Sequence, residues 1–390
     1  MRFRLIFSVL FCLPLLSLAQ PAQKPVIVGA ERIAIWKPLV ARQRVALVVN
    51  PTSMVGNQHL VDVMLAEGID VKKVFAPEHG FRGEADAGAK IADGTDPSTG
   101  LPIVSLYGKN KKPSAEMLAD VDVVVFDIQD VGARFYTYIS TMHYVMEACA
   151  ENNKRLIVLD RPNPNGDYVD GPVRLPEHES FVAMHPIPVV HGLTVGELAR
   201  MINGEGWLQD SVVCDLTVVQ AQNWDHTQSY TLPVPPSPNL PNQQAVRWYP
   251  SLCLLEGTPI SIGRGTPWPF QMAGFPNPGY GEFTFRPVSI PGKSTYPKHQ
   301  NQQCHGLDLR EAEAPKRFSL EIILKMYQAT PVEEREAFFE PFFTTLAGTP
   351  QLAEQIQANF SEEEIRWSWA EDLTKYKAVR KQYLLYPDFE

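Results

Sequence analysis

Val121-Asp122-Val123-Val124-Val125-Phe126 runs directly into Asp127-Ile128-Gln129-Asp130-Val131-Gly132-Ala133-Arg134-Phe135-Tyr136, and a helical pattern follows from Thr137 to Glu151. The first run is apolar on both faces, as in a strand buried within a parallel sheet. In the helical segment Tyr138, Met142, Val145, Met146 and Cys149 recur at three- and four-residue spacing and form one buried stripe. Leu156 to Leu159 then supplies a second apolar run, which completes a strand-helix-strand unit. Similar runs occupy Val45–Val49, Val71–Ala76 and Ile103–Leu106. Thr194 and Glu197 form a capping box that opens another helix, and Val212–Val219 reads as a sixth strand. Repetition of this unit predicts an α/β fold built on an open, doubly wound, mostly parallel sheet with right-handed crossovers.

Leu232 to Pro241 holds too many prolines for a helix or a central strand and predicts a domain junction. Residues 20–240 then form the first domain and 241–390 a smaller α+β domain. In the latter, Phe283–Val288 reads as a strand. A helix starts at Ser361 with a capping box to Glu364 and carries Ile365, Trp369, Leu373, Tyr376, Val379 and Tyr383 on one face. The chain has 390 residues, 44% hydrophobic and 20% charged, with a net charge of −9. Its pI is about 5.6 and its mean hydropathy −0.16. These values argue against disorder, an integral membrane protein and nucleic-acid binding, and favour a small ligand.

Arg2 and Arg4 precede an apolar run from Leu5 to Leu18, and Ser17-Leu18-Ala19 fits a signal-peptidase site. The reading is a signal peptide over residues 1–19, an exported chain, and no stable membrane insertion. Cys12 falls inside this leader. Cys149, Cys214, Cys253 and Cys304 contain no C-x-x-C pair, so a structural zinc site is not expected, and Cys149 reads as a buried free thiol.

In an open α/β sheet the ligand crevice lies beyond the carboxyl ends of the strands. Those ends are polar here: Asn50-Pro51-Thr52-Ser53, Pro77-Glu78-His79-Gly80-Phe81-Arg82-Gly83, Tyr107-Gly108, Asp127 to Tyr136, and Asp160-Arg161-Pro162-Asn163-Pro164-Asn165-Gly166. Asn50 and Asn165 also suit ordinary turns, and Asp127 or Asp160 can simply pair with a neighbouring arginine. Glu78-His79 is different, because the flanking proline and glycine already make the turn. His191 fits either a ligand contact or a satisfied position near a helix start. No G-x-G-x-x-G follows the first strand, so no dinucleotide cofactor is expected, and the chain has no P-loop, H-E-x-x-H or G-x-S-x-G run.

The run Asp127 to Tyr138, with Val49-Asn50-Pro51-Thr52-Ser53, Ala76 to Gly83, Leu159 to Pro164, Ser237-Pro238-Asn239, Leu255-Glu256-Gly257-Thr258 and Gly263-Arg264-Gly265-Thr266, resembles the exo-β-N-acetylmuramidases of the NamZ type. The resemblance covers nearly all of the chain after the leader. It implies a two-domain glycoside hydrolase with a Rossmann-like N-terminal catalytic domain. Such an enzyme removes terminal β-1,4-linked N-acetylmuramic acid from the non-reducing end of peptidoglycan fragments. The partner is then a small carbohydrate, a muropeptide or a MurNAc-GlcNAc disaccharide, with no cofactor, and a cell-wall recycling role favours the periplasm. One departure is that Pro259-Ile260 and Ile262-Gly263 stand where the family pattern has asparagine-leucine and serine-glutamate.

Glycosidic cleavage usually needs a protonated and an ionised carboxyl group. Glu78, Asp127, Asp130 and Glu256 are the candidates. Glu78 is assigned as the acid, with His79 beside it, and Glu256 as its partner, with Asp127 or Asp130 as replacements. The lactyl carboxylate of muramic acid calls for a bidentate arginine: Arg82, Arg134, Arg161 or Arg264. Tyr107, Tyr136 and Trp268 are candidates for stacking on the sugar. Asn50, Asp130, Asp160, Asn163 and His191 complete the expected substrate contacts. Leu255 to Phe270 is expected to cover the cleft, bringing Glu256, Arg264 and Trp268 over Glu78, Asp127 and Asp160, with glycines at 257, 263 and 265 allowing close approach to the sugar. Two other readings fit the same residues. One is a metal-assisted hydrolase using His79, Asp127, Asp130 and His191; the other is a noncatalytic binder of cell-wall fragments.

Overall fold

The computed structural model describes residues 24–78, 80–82, 93–108 and 110–390. The leader and His79 lie outside them. Seven strands form the central sheet: β1 (Arg44–Val49), β2 (Asp70–Ala76), β3 (Gly94–Thr95), β4 (Pro102–Ser105), β5 (Val123–Asp127), β6 (Arg155–Leu159) and β7 (Asp215–Val219). Their order is β7-β6-β5-β1-β2-β4-β3. All neighbours are parallel except β3, which runs antiparallel to β4. Without β3 this is the order of a Rossmann sheet, reversing between β1 and β5. The period of two along each strand divides its side chains between two cores. Ala46, Val48, Val124, Phe126, Leu156 and Val158 enter one, whereas Val45, Leu47, Val49, Val123, Val125 and Ile157 enter the other. The helices Tyr138–Glu151 and Val195–Gly204 pack on the first face, and Ile33–Val40 and Leu60–Ala66 on the second.

Beyond residue 242 the chain forms a three-stranded antiparallel sheet, β8 (Met272–Phe275), β9 (Phe283–Phe285) and β10 (Cys304–Asp308), in the order β8-β10-β9. Helices follow it. β9 stops before Pro287, which has no N–H for a ladder, so it is shorter than the apolar pattern predicts. The single helix expected from Ser361 is two, Glu362–Ser368 and Ala370–Arg380, broken at Trp369. Ser368 Oγ donates to the Ile365 carbonyl, and the break seats the Trp369 ring 6.1 Å from that of Phe318. The Ser361 capping box is formed, as is the one at Thr194.

Both halves share one core, which continues from the sheet face through Tyr249, Phe270, Phe318, Phe343 and Trp369. Arg134 joins them by hydrogen bonds. Its side chain is 0% exposed. Nη1 donates to the carbonyls of Pro172 and Ile187 at 2.8 and 2.7 Å, and Nη2 to those of Leu346 and Ala347 at 3.0 and 2.6 Å. Burial, with a smaller contribution from Arg174, pushes its pKa down to about 9. A lactyl clamp is expected of Arg134, and the structure corrects this: both terminal amino groups are spent on backbone carbonyls and the side chain is fully buried. Substituting Arg134 with Met strips four carbonyls of a charged donor. It is expected to lower unfolding stability by at least about 3 kcal/mol, read as a fall in the urea midpoint with an unchanged slope.

Candidate active site

Three segments meet above the sheet. The first is the end of β2, where Pro77 turns the chain and presents Glu78. The second is the β5 loop, which ends in Tyr136 and Tyr138. The third is the stretch from Tyr249 to Phe270, roofed by Phe342 and Leu346 of the helix Pro341–Ala347. Together they enclose a cavity of about 160 Å³. Among the described residues that line it, Glu78 and Glu256 are the only carboxylic acids and Arg264 the only cation.

The walls are aromatic. Tyr136 meets Tyr138 and Tyr249 edge to face at centroid distances of 5.0 and 5.8 Å, and Tyr249 meets Phe270 at 4.9 Å. Tyr136 Oη donates to the Pro236 carbonyl at 2.6 Å, tying the β5 loop to the proline-rich segment. Tyr138 Oη donates to the Glu78 carbonyl at 3.2 Å. The Tyr107 hydroxyl hydrogen-bonds the Glu78 side chain, and burial together with that carboxylate raises its pKa, so it remains a donor at neutral pH. Asn50 lies behind this group. Its Oδ1 accepts from Thr52 N and Oγ1 at 2.9 and 2.5 Å, while its buried amide nitrogen has no hydrogen-bond partner among the described residues.

On the opposite wall Arg264 Nε donates to Glu256 Oε1 at 2.5 Å. Burial opposes the Arg264 charge, but Glu256 outweighs it and raises the pKa. The Cys253 thiol donates to Glu256 Oε2 at 3.6 Å, and burial keeps it protonated. Lys298 Nζ donates to the carbonyls of Glu256 at 2.9 Å and of Thr258, fixing the loop that carries the glutamate.

Of the residues expected here, Glu78, Tyr136, Glu256 and Arg264 line the cavity, with Tyr107 and Asn50 in contact with that lining. The rest are elsewhere. Asp127, expected to be catalytic, is fully buried and taken by Arg161, whose Nε and Nη2 donate to it at 2.6 and 2.8 Å. Neither reaches the cavity. Asp130 accepts from Gly132 N at 2.7 Å and faces His191 Nε2 at 3.4 Å, both beneath the surface. Asp160 accepts from Arg161 N, Gly196 N, Thr194 Oγ1 and Tyr386 Oη at 3.0, 2.8, 2.7 and 2.6 Å, which makes it a junction of chain segments. Asn163 bridges the Leu193 carbonyl and Asn165 N. Arg82 pairs with Asp62 and Asp96. Trp268 is 41% exposed, beneath the Arg310 guanidinium, and outside the lining. Gly263 and Gly265 adopt φ of 80°, and added Cβ atoms would strike Met272 and Pro297, so their freedom serves chain packing rather than approach to a sugar. His79 lies outside the described residues. Among those residues no three His, Cys, Asp or Glu side chains converge as metal ligands.

Sequence reasoning missed Tyr138, Tyr249, Cys253, Phe270, Phe342 and Leu346. Tyr138 was read as part of a helix stripe, and the others have the apolar signature of ordinary core. Its two-residue spacing from Tyr136, just ahead of the helix, was the available signal.

Two family models cover nearly all of the described chain: NamZ exo-β-N-acetylmuramidase N-terminal over residues 45–244, and the C-terminal counterpart over 247–386. The chain belongs to the NamZ exo-β-N-acetylmuramidase family. It is 40% identical over 373 residues to the peptidoglycan β-N-acetylmuramidase NamZ of Bacillus subtilis (strain 168), covering 90% of this chain and 89% of that protein. Two crystal structures of DUF1343 family proteins from Bacteroides fragilis NCTC 9343 share the fold. One has a TM-score of 0.87 and 44% identity, covering 94% of this chain and 100% of the other; the second has 0.77 and 31%, covering 93% and 99%. The two NamZ models meet at the helix Gln243–Leu252, and the cavity draws residues from both sides of that line.

Cys149, Cys214, Cys253 and Cys304 are free and buried, with pKa values raised by burial, to about 12 for Cys214 and about 11 for Cys304. At pH 8 a disulfide reagent is therefore expected to titrate none of these four in the native protein and all four in urea. Rapid reaction of Cys253 without denaturant would show that its wall opens.

Proposed function

We propose that the protein is an exo-acting glycoside hydrolase that removes terminal β-1,4-linked N-acetylmuramic acid from the non-reducing end of peptidoglycan fragments. The observation that carries this reading is the single chamber into which two glutamates, Glu78 and Glu256, project from opposite halves of the chain. Glu78, whose side chain meets the neutral Tyr107 hydroxyl, is the proton donor to the glycosidic oxygen. Glu256, ion-paired with Arg264, is the ionised carboxylate on the other side of the sugar. The aromatic walls suit the apolar faces of a pyranose. Arg264 uses Nε on Glu256, leaving its terminal amino groups for the lactyl carboxylate. The roof of Phe342 and Leu346 supports attack at a chain end, because it closes a cleft that an open sheet leaves accessible. The substrate is a disaccharide or muropeptide, and the leader over residues 1–19 supports export, with recycling of wall fragments in the periplasm.

Release of free N-acetylmuramic acid from a MurNAc-GlcNAc disaccharide tests the activity directly. Glu78→Gln keeps the shape of the side chain and loses the proton. It is expected to lower kcat by about 10²–10⁴-fold with folding intact, and wild-type rates would refute the assignment. Arg264→Lys keeps a charge beside Glu256 but loses the planar fork. Its kcat/KM is expected to fall more for a muramic acid glycoside than for the glucosamine analogue lacking the lactyl group. Equal losses on the two substrates would remove Arg264 as the lactyl contact.

A further inference from the structure

Ser237-Pro238-Asn239 brings a carboxamide to the wall of the chamber that holds Glu78 and Glu256. Asn239 is 2% exposed, so each end of its amide has to be matched by its surroundings. Its backbone N–H donates to Ser237 Oγ at 3.2 Å, and its Nδ2 donates to the Lys293 carbonyl at 2.8 Å. A carbonyl only accepts, so the second bond fixes which end of the amide is which. No described residue donates to Oδ1, which is left as the end presented to the chamber.

The orienting carbonyl is itself held in place. Lys293 sits in a tight turn closed by Ile290 and Ser294, which exchange backbone hydrogen bonds of 2.9 Å in each direction, and Gly292 supplies its φ of 80°. The other polar groups of the chamber do not single out a donor in this way. Arg264 can only donate. Tyr136 and Tyr138 turn their hydroxyl hydrogens on the carbonyls of Pro236 and Glu78, and their phenolic oxygens, with a lone pair delocalised into the ring, accept more weakly than an amide oxygen. The hydroxyls of Thr137 and Ser237 rotate to donate or accept, and so select neither.

We propose that Asn239 is a specificity-determining residue, whose Oδ1 accepts the N–H of the 2-acetamido group of the retained N-acetylmuramic acid. The inference rests on the glycoside hydrolase reading of this chamber. In that reading the two glutamates act at C1 and Arg264 takes the lactyl group on C3. C2 lies between these carbons, and its substituent carries the one amide donor of the sugar. A fixed, neutral acceptor in the same chamber matches that donor without competing for the proton that Glu78 must deliver.

The test measures binding of free sugars by ligand-observed NMR, which does not require turnover. N-acetylmuramic acid is compared with 2-deoxy-3-O-lactylglucose, the same sugar with only hydrogen at C2. Asn239→Ala is expected to weaken N-acetylmuramic acid roughly three- to tenfold and to leave the 2-deoxy analogue unchanged. Equal losses on the two ligands would mean that Asn239 only anchors the Lys293 turn, and would overturn the proposal. Asn239→Asp is the second variant. It sets an anionic acceptor at the same place, and in acidic buffer it is expected to favour muramic acid, whose 2-amine is protonated, over N-acetylmuramic acid about tenfold more than the wild type does. An unchanged preference there would also overturn the proposal. Either failure leaves the hydrolase reading intact if the wild type still releases N-acetylmuramic acid from the disaccharide; absence of that release and of N-acetylmuramic acid binding would overturn both.

Discussion

The buried guanidinium of Arg134 holds the molecule in its working shape. A full charge without solvent is costly, and here it is offset entirely by carbonyl dipoles from two distant parts of the chain. Two of those carbonyls end the helix Pro341–Ala347, where the partial charge of the peptide dipoles is negative. Gly348 closes that helix in the left-handed region, and a Cβ there would lie 2.8 Å from Arg134 Nη2. Phe342 and Leu346 project from the same helix over the cavity. The position of the roof, and so the closure of the chamber, follows from where one arginine finds its acceptors.

A Rossmann strand order usually places a nucleotide at the point where the order reverses. Here that point, between β1 and β5, is filled by the protein itself. The Asp127 carboxylate takes Arg161, the Asp127 carbonyl takes Ser53 Oγ, and Thr52 Oγ1 accepts from Gln129 N. Arg161 also reaches the Met54 carbonyl. With the crevice plugged by these buried pairs, the open space shifts to the end of β2 and across to the second half of the chain. The fold supplies the frame, while the chemistry has moved one strand along.

The sheet was legible because its strands are apolar on both faces, a pattern that few alternatives share. Glu78 was legible too, since a titratable side chain beside a proline turn has no structural need to be there. The arginines were not. Arg134 and Arg264 look alike in sequence, yet one is consumed by carbonyls and the other faces a cavity, and carbonyl acceptors leave no trace in side-chain identity. Asp127 and Asp160 misled for a related reason: a carboxylate at a strand end suits both catalysis and the joining of segments, and only the number of donors around it decides. The roof was illegible because Phe342 and Leu346 carry the pattern of any helix packed on a core.

The segment from Tyr376 to Asp388 returns to the first half of the molecule. Tyr376 donates to the His191 carbonyl, Arg380 to that of Gly192 while pairing with Asp388, and Tyr386 meets Trp224 edge to face and donates to Asp160. The acceptors at His191, Gly192 and Asp160 are laid down 185, 188 and 226 residues before their donors. During synthesis the end of β6 therefore waits, with Asp160 short of a donor, until almost everything after it has left the ribosome. Arg161, Thr194 and Gly196 give Asp160 three of its donors from nearby in the chain, and only Tyr386 arrives late to close the set.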